Sequence, residues 1–123
     1  MKIRILGNAI RLRLSQTEVK TLAEKGKVSE ETYFPILTSD VLRYSVEKNI
    51  GEGISGRFED GHIRIYANEK MVDDWANSDQ ISMEDRINHS SGHITYLIEK
   101  DFKCLTERSE DESDLFPNPA ENC

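Results

Sequence analysis

A chain of 123 residues fits one compact domain, and 37% hydrophobic with 32% charged residues builds a modest core without a disulfide. The formal net charge of −7 argues against nonspecific nucleic-acid binding, which depends on lysines and arginines displacing counterions. Cys104 and Cys123 are the only cysteines, with the spacing of neither a zinc knuckle nor a disulfide framework. Arg4, Arg11 and Arg13 interrupt every apolar run of the opening segment, so no secretory or membrane-spanning stretch is expected and a reducing cytoplasm is the simplest location.

Lys2 to Leu14 reads as a hairpin, with Ile3, Ile5, Ile10, Leu12 and Leu14 alternating with basic residues about a Gly7-Asn8 turn. Ser15-Gln16-Thr17-Glu18 has the capping-box pattern, in which the hydroxyl and the carboxylate satisfy reciprocal backbone donors. It predicts a helix to about Lys25, with Val19, Leu22 and Ala23 as its apolar stripe and Gly26 as its left-handed stop. Residues 27–34 and 41–47 read as strands around a loop from Pro35 to Asp40.

The same order then recurs. Residues 55–66 read as a hairpin about Asp60-Gly61, Asn68 as the cap of a helix carrying Met71, Val72 and Trp75, and 80–87 and 93–99 as strands around the loop Asn88 to Gly92. At an offset of 53 positions, 2–47 falls on 55–100. Ile10-Arg11-Leu12 meets Ile63-Arg64-Ile65, Val19 meets Val72, Leu22 meets Trp75, Val28-Ser29 meets Ile81-Ser82, Glu31 meets Glu84 and Val41 meets Ile94. Each half is strand-strand-helix-strand-strand and is too small to bury much core alone. The expectation is a β-rich α+β domain over 1–106 in which two pseudo-symmetric halves, joined by a connector at 48–54, form a partly closed barrel or two packed curved sheets.

Residues 107–123 carry six acids against Arg108, and their composition reads as an unstructured acidic tail. The alternative is a tail docked through Leu115 and Phe116, an apolar pair followed by Pro117 and Pro119.

Hairpin register turns the basic residues into a statement about charge. About Gly7-Asn8, Lys2 faces Arg13 and Arg4 faces Arg11, all four on one side; about Asp60-Gly61, Arg57 faces Arg64. Like charges directly opposite cost ~0.2–1 kcal/mol per pair. Solvated splaying on an outer strand face is the ordinary fate of such residues. The alternative is an anion site in which Lys2, Arg4, Arg11, Arg13, Arg57 and Arg64 recognise carboxylate or phosphate, since an arginine presents a rigid donor fork. His89 and His93 flank the loop His-Ser-Ser-Gly-His, and with Cys104 they offer zinc-compatible donors without zinc-site spacing. Trp75, Tyr44 and Tyr96 read as core or rim aromatics. No nucleophile elbow, phosphate-cradling glycine loop, HExxH or kinase signature occurs, so no cofactor and no catalytic residue is assigned.

The start Met1-Lys2-Ile3-Arg4-Ile5 through Gly7-Asn8 to Ile10-Arg11-Leu12-Arg13-Leu14, the segment Glu99-Lys100-Asp101-Phe102-Lys103-Cys104-Leu105 and the acidic run to Phe116-Pro117-Asn118-Pro119 resemble a family of short, uncharacterised bacterial proteins. That resemblance implies a self-contained bacterial domain and carries no activity. A looser similarity is to the triphosphate-tunnel enzymes, which surround basic residues and metal-binding glutamates with an eight-stranded barrel. The first strand here has Lys2 and Arg4 in place of their Glu-x-Glu-x-Lys pattern.

The reading that results is a noncatalytic binding module for an acidic protein segment, its own tail or a partner's, or for a small phosphorylated ligand. The alternatives are a metal-dependent enzyme acting on a phosphate compound, with Glu47, Glu59 and Glu99 as metal or acid–base groups, and a structural subunit of a larger assembly.

Overall fold

The computed structural model describes residues 1–36, 40–102, 114 and 116. Its elements are β1 (Lys2–Leu6), β2 (Ala9–Leu14), α1 (Gln16–Lys25), β3 (Lys27–Tyr33), β4 (Val41–Asn49), β5 (Ile54–Glu59), β6 (His62–Asn68), α2 (Glu69–Ala76), β7 (Ser82–His89) and β8 (Gly92–Lys100). Eight strands and two helices make a mixed α+β fold. Of the two architectures the sequence allows, it adopts the pair of packed sheets, ordered β1-β2-β8-β7 (sheet A) and β3-β4-β6-β5 (sheet B).

Both helix starts follow from local chemistry. The Ser15 hydroxyl accepts from the Glu18 amide while the Glu18 carboxylate accepts from the Ser15 amide, and Gly26 ends α1 in the left-handed region with its amide on the Leu22 carbonyl. The Asn68 side chain accepts from the Lys70 and Met71 amides at the start of α2. Buried Val19 and Leu22 of α1 and Val72 and Trp75 of α2 bring the helices against each other and against the strands.

Each sheet combines one hairpin from each half of the chain. β2 runs parallel to β8, and β4 runs parallel to β6. The seams are pinned alike: the Thr95 amide donates to the Asn8 carbonyl and the Arg43 amide to the Gly61 carbonyl, both at 2.9 Å. Further in, the Ile54 amide donates to Asp85 Oδ2 at 2.9 Å, while the backbone nitrogen of Met1 contacts Glu30 Oε1 at 3.2 Å.

Matched by strand register, the two halves do not keep the single offset of 53. The offset stays at 53 through the first hairpin and helix, where Arg4↔Arg11 matches Arg57↔Arg64. In β3 and β7, Val28 corresponds to Met83, since each pairs with the buried central residue of its hairpin, Val46 or Ile98. In β4 and β8, Tyr44-x-x-Glu47-Lys48 corresponds to Tyr96-x-x-Glu99-Lys100. The uniform superposition of Val28-Ser29 on Ile81-Ser82, of Glu31 on Glu84 and of Val41 on Ile94 is therefore corrected. The cause is loop length: Gly26 alone links α1 to β3, whereas Asn77 to Ile81 link α2 to β7. Element ends move with it. Lys48 and Asn49, expected in the connector, belong to β4, and the loop expected from Asn88 to Gly92 shortens to Ser90-Ser91 because His89 pairs with Gly92.

The two matched lysines serve the helices. Lys48 Nζ donates to the Ala23 carbonyl at 2.9 Å and to Asp73 Oδ1 at 2.7 Å. Lys100 Nζ donates to the Ser78 carbonyl at 2.7 Å, just past α2. A cation beside the last carbonyls of a helix opposes its dipole, a contribution of about 0.3–1 kcal/mol.

Burial falls from the helix end to the turn end along the inner face of every strand. Leu14 and Leu12 are buried and Ile10 is half-buried; Ile98 and Tyr96 are buried and Ile94 is half-buried. On sheet B, Ala67 and Ile65 are buried and Ile63 is half-buried, and Ile54 is buried while Phe58 is 72% exposed. The core thus sits at the helix end, and the mouth between the sheets is apolar and open to water.

Candidate functional site

The strand registers inferred for both hairpins are those observed. Lys2 pairs with Arg13 and Arg4 with Arg11, and the buried neighbours Leu12 and Leu14 fix which side of β2 faces inward. The four basic residues therefore form a two-by-two block on the outer face of sheet A. Two rows, about 6.7 Å apart along the strand, run across it: Lys2, Arg13, Glu99 and Ser82, then Arg4, Arg11, Leu97 and Glu84.

The parallel β2–β8 seam brings a carboxylate to this block. Arg13 Nε donates to Glu99 Oε1 at 2.7 Å, and Arg11 Nε lies 3.5 Å from the same oxygen. Beyond β8, the Asp101 amide donates to the Leu14 carbonyl at 2.8 Å, which carries the Asp101 side chain to Lys2 Nζ, also at 2.8 Å. Glu99 and Asp101 stand at alternate positions of one extended segment.

Arg57 and Arg64 pair as expected but lie on the outer face of sheet B, so the six basic residues form two separate groups. The row beside them also changes, with Ser55 and Tyr66 where sheet A has Lys2 and Arg13. Arg57 Nη2 meets Glu59 Oε2 at 3.2 Å on an exposed edge. The charge of sheet B is mixed, and that of sheet A near β1 and β2 is basic.

Sheet B holds a cluster that the sequence did not announce. Ser45, fully buried beneath longer side chains, shares a 2.8 Å hydrogen bond between its Oγ and His62 Nε2. Burial, followed by the nearby Arg64 and Lys27 charges, holds the His62 imidazole below its ordinary pKa. Across β4, Arg43 Nε donates to Glu31 Oε1 at 2.9 Å and the Tyr33 hydroxyl to Glu31 Oε2 at 2.7 Å. The Tyr33 bond, then Arg43, keep that carboxyl below the usual carboxylate range. Glu47, the match of Glu99, lies 3.6 Å from Lys27, and its Oε2 is buried without a hydrogen-bond partner among the described residues.

The chain belongs to a family of unknown function, DUF7009. That family's model matches residues 1–120. No curated protein and no solved structure matches the chain. The family assignment bears out the expectation of an uncharacterised family and adds no activity to it.

The remaining sequence candidates can be placed. Glu47, Glu59 and Glu99 stand on β4, β5 and β8, and Glu99 is committed to Arg13. Among the described residues no group of three or more His, Cys, Asp or Glu side chains is arranged to hold a metal ion. His89 Nδ1 contacts Ser91 Oγ at 2.7 Å while His93 pairs with Asn88; Cys104 lies outside the described residues. Trp75 is core, its indole donating to the Ile81 carbonyl at 2.9 Å, and Tyr96 is buried while Tyr44 is half-buried. Phe116 is 96% exposed, and Leu115 lies outside the described residues. A groove of about 550 Å³ runs between α1 and Phe102, floored by Leu14, Val19 and Ala23. No described helix is long and apolar enough to cross a membrane.

Proposed function

We propose that this is a noncatalytic binding module of the bacterial cytoplasm, built from two pseudo-symmetric halves, whose outer face of sheet A recognises anions carried on an extended segment. The observation that supports this reading is the placement of Glu99 and Asp101. Two carboxylates at alternate positions of an extended chain already meet Arg13 and Lys2. The block therefore has the spacing of an acidic peptide in extended form, and a phosphorylated small molecule offers the same oxygen chemistry to the arginine forks. Sheet B, where a serine and a tyrosine replace the lysine and the second arginine, has no equivalent block.

The test is binding of a labelled peptide of alternating glutamate and serine, and of a panel of phosphorylated compounds, to the full chain and to its Arg13→Gln variant. The expected result is saturable binding that weakens with salt, weakens further in the variant and yields no product. Turnover of any phosphate compound, or binding indifferent to Arg13, overturns the reading.

A further inference from the structure

Resting on that binding reading, we propose that the outer edge of β1 pairs with an extended segment of a partner protein in which acidic and apolar residues alternate, so that the segment joins sheet A as a further strand.

The register of the first hairpin decides which backbone groups point outward. Facing residues of antiparallel strands alternate between pairs that exchange hydrogen bonds and pairs that do not. Leu6 and Ala9 close the two-residue turn and exchange them, as do Arg4 with Arg11 and Lys2 with Arg13 at steps of two. Ile3 and Ile5 therefore direct their N–H and C=O groups away from β2. The same count about Asp60-Gly61 turns the Ile54 amide away from β6, and that amide meets Asp85 Oδ2 at 2.9 Å. β1 ends the strand order of sheet A, and among the described residues no backbone bond from outside its hairpin reaches Ile3 or Ile5.

The side chains along that edge identify the partner's chemistry. Among the described strands, β1, β7, β3 and β5 border the two sheets. Outward charges are mixed on three of them: Lys27 and Glu31 on β3, Arg57 and Glu59 on β5, Glu84 and Arg86 on β7. Those of β1, Lys2 and Arg4, have one sign. A second copy pairing β1 on β1 sets these cations against each other, which opposes self-association. A strand with carboxylates at the facing positions meets Lys2, 73% exposed beside Asp101. On the inner face stand Ile3, half-buried, and Ile5, 56% exposed at the open mouth. Residues opposite these two point to the same face, so apolar side chains there extend the layer and cover Ile5. The sequence that fits is thus an alternation of acid and apolar residue. Main-chain bonds supply its affinity and the alternate side chains its specificity.

The experiment measures binding of a labelled peptide of alternating glutamate and valine to the full native chain and to Ile5→Pro, Ile5→Ala and Arg13→Gln. Proline removes the outward donor of residue 5 and leaves the β1–β2 ladder intact, because that N–H does not face β2. Two further peptides carry backbone N-methyl groups, one on its valines and the other on its glutamates. A strand pairs with an edge through every second amide, so one methylated peptide should bind the native chain and the other should not. Ile5→Pro should weaken binding at least about tenfold, against less than about threefold for Ile5→Ala, which keeps the amide. Binding that falls with Arg13→Gln but is indifferent to Ile5→Pro overturns the edge pairing and leaves the binding reading standing. An equal effect of the two methylations on the native chain overturns the pairing without recourse to any variant. Self-association of the native chain that Ile5→Pro abolishes assigns the edge to a second copy and overturns the partner. No binding of this peptide or of the phosphorylated compounds by the native chain sinks the binding reading, and the pairing with it.

Discussion

Glu99 receives a hydrogen bond from Arg13 across a parallel strand seam, at 2.7 Å, while its match Glu47 has Tyr66 in the corresponding place. On the proposed anion-binding reading, that carboxylate competes with an incoming anion for the basic block. Glu99→Gln should keep the side-chain shape and remove the negative charge. The expected outcome is anion affinity raised several-fold at low salt, with a stability loss below about 1 kcal/mol, since Arg13 is near half exposed and such pairs contribute little. Peptide binding at two salt concentrations, with chemical unfolding alongside, checks both halves.

The partly buried His62 imidazole makes stability depend on pH. The folded imidazole titrates below its ordinary value of 6.5, so the neutral form is the one the fold favours. A group with a depressed folded pKa contributes stability that is complete above the unfolded value and is lost as pH falls through the folded one. Facing groups on β3, β4 and β6, namely Lys27, Arg43 and Arg64, oppose protonation, and Glu47 favours it. The melting temperature should therefore fall from about pH 6.5 downward, and His62→Asn should flatten that part of the profile. An unchanged slope in the variant would assign the loss to other groups.

The local rules reached as far as the hairpins. Alternation plus a two-residue turn fixed Arg4 against Arg11 and Arg57 against Arg64, and capping chemistry fixed both helix starts, because these depend on residues within a few positions of each other. The β2–β8 and β4–β6 seams join residues far apart in the chain, and no turn encodes them. That is why Glu99 was legible only as an isolated acid and not as the partner of Arg13. The clue available was the pair Tyr44-x-x-Glu47-Lys48 and Tyr96-x-x-Glu99-Lys100, hidden under a uniform offset that unequal loops break. Ser45 and His62 carried no signal, since an outward strand position that becomes buried depends on how neighbouring side chains fold over it.

Gly53 holds a junction between the halves. Its φ is +63°, and a Cβ there would overlap Asp85 Oδ2, the atom that accepts the Ile54 amide. Gly53→Ala combines backbone strain with displacement of that carboxylate, and a loss of about 2–4 kcal/mol is expected. Asp85→Ala leaves the amide without its acceptor and should cost about 1–3 kcal/mol. Because both changes break one contact, the double variant should lose clearly less than the sum of the two. Additive losses measured by denaturant unfolding would place the Gly53 effect elsewhere.

Phe58 and Ile65 share the inner face of sheet B at opposite ends of the burial gradient, one 72% exposed and the other 1%. Ile65→Ala removes methyl groups packed in the core and should cost about 2–5 kcal/mol. Phe58→Ser removes a ring that water already surrounds, so its cost should stay below about 1 kcal/mol. Ile5, at the matching position of β1 and 56% exposed, should behave like Phe58. The comparison separates two accounts of the open mouth. If the sheets close there in solution, Phe58→Ser and Ile5→Ser destabilise as core changes do. If the mouth is open as described, both variants unfold at the denaturant concentration of the native chain and only Ile65→Ala shifts.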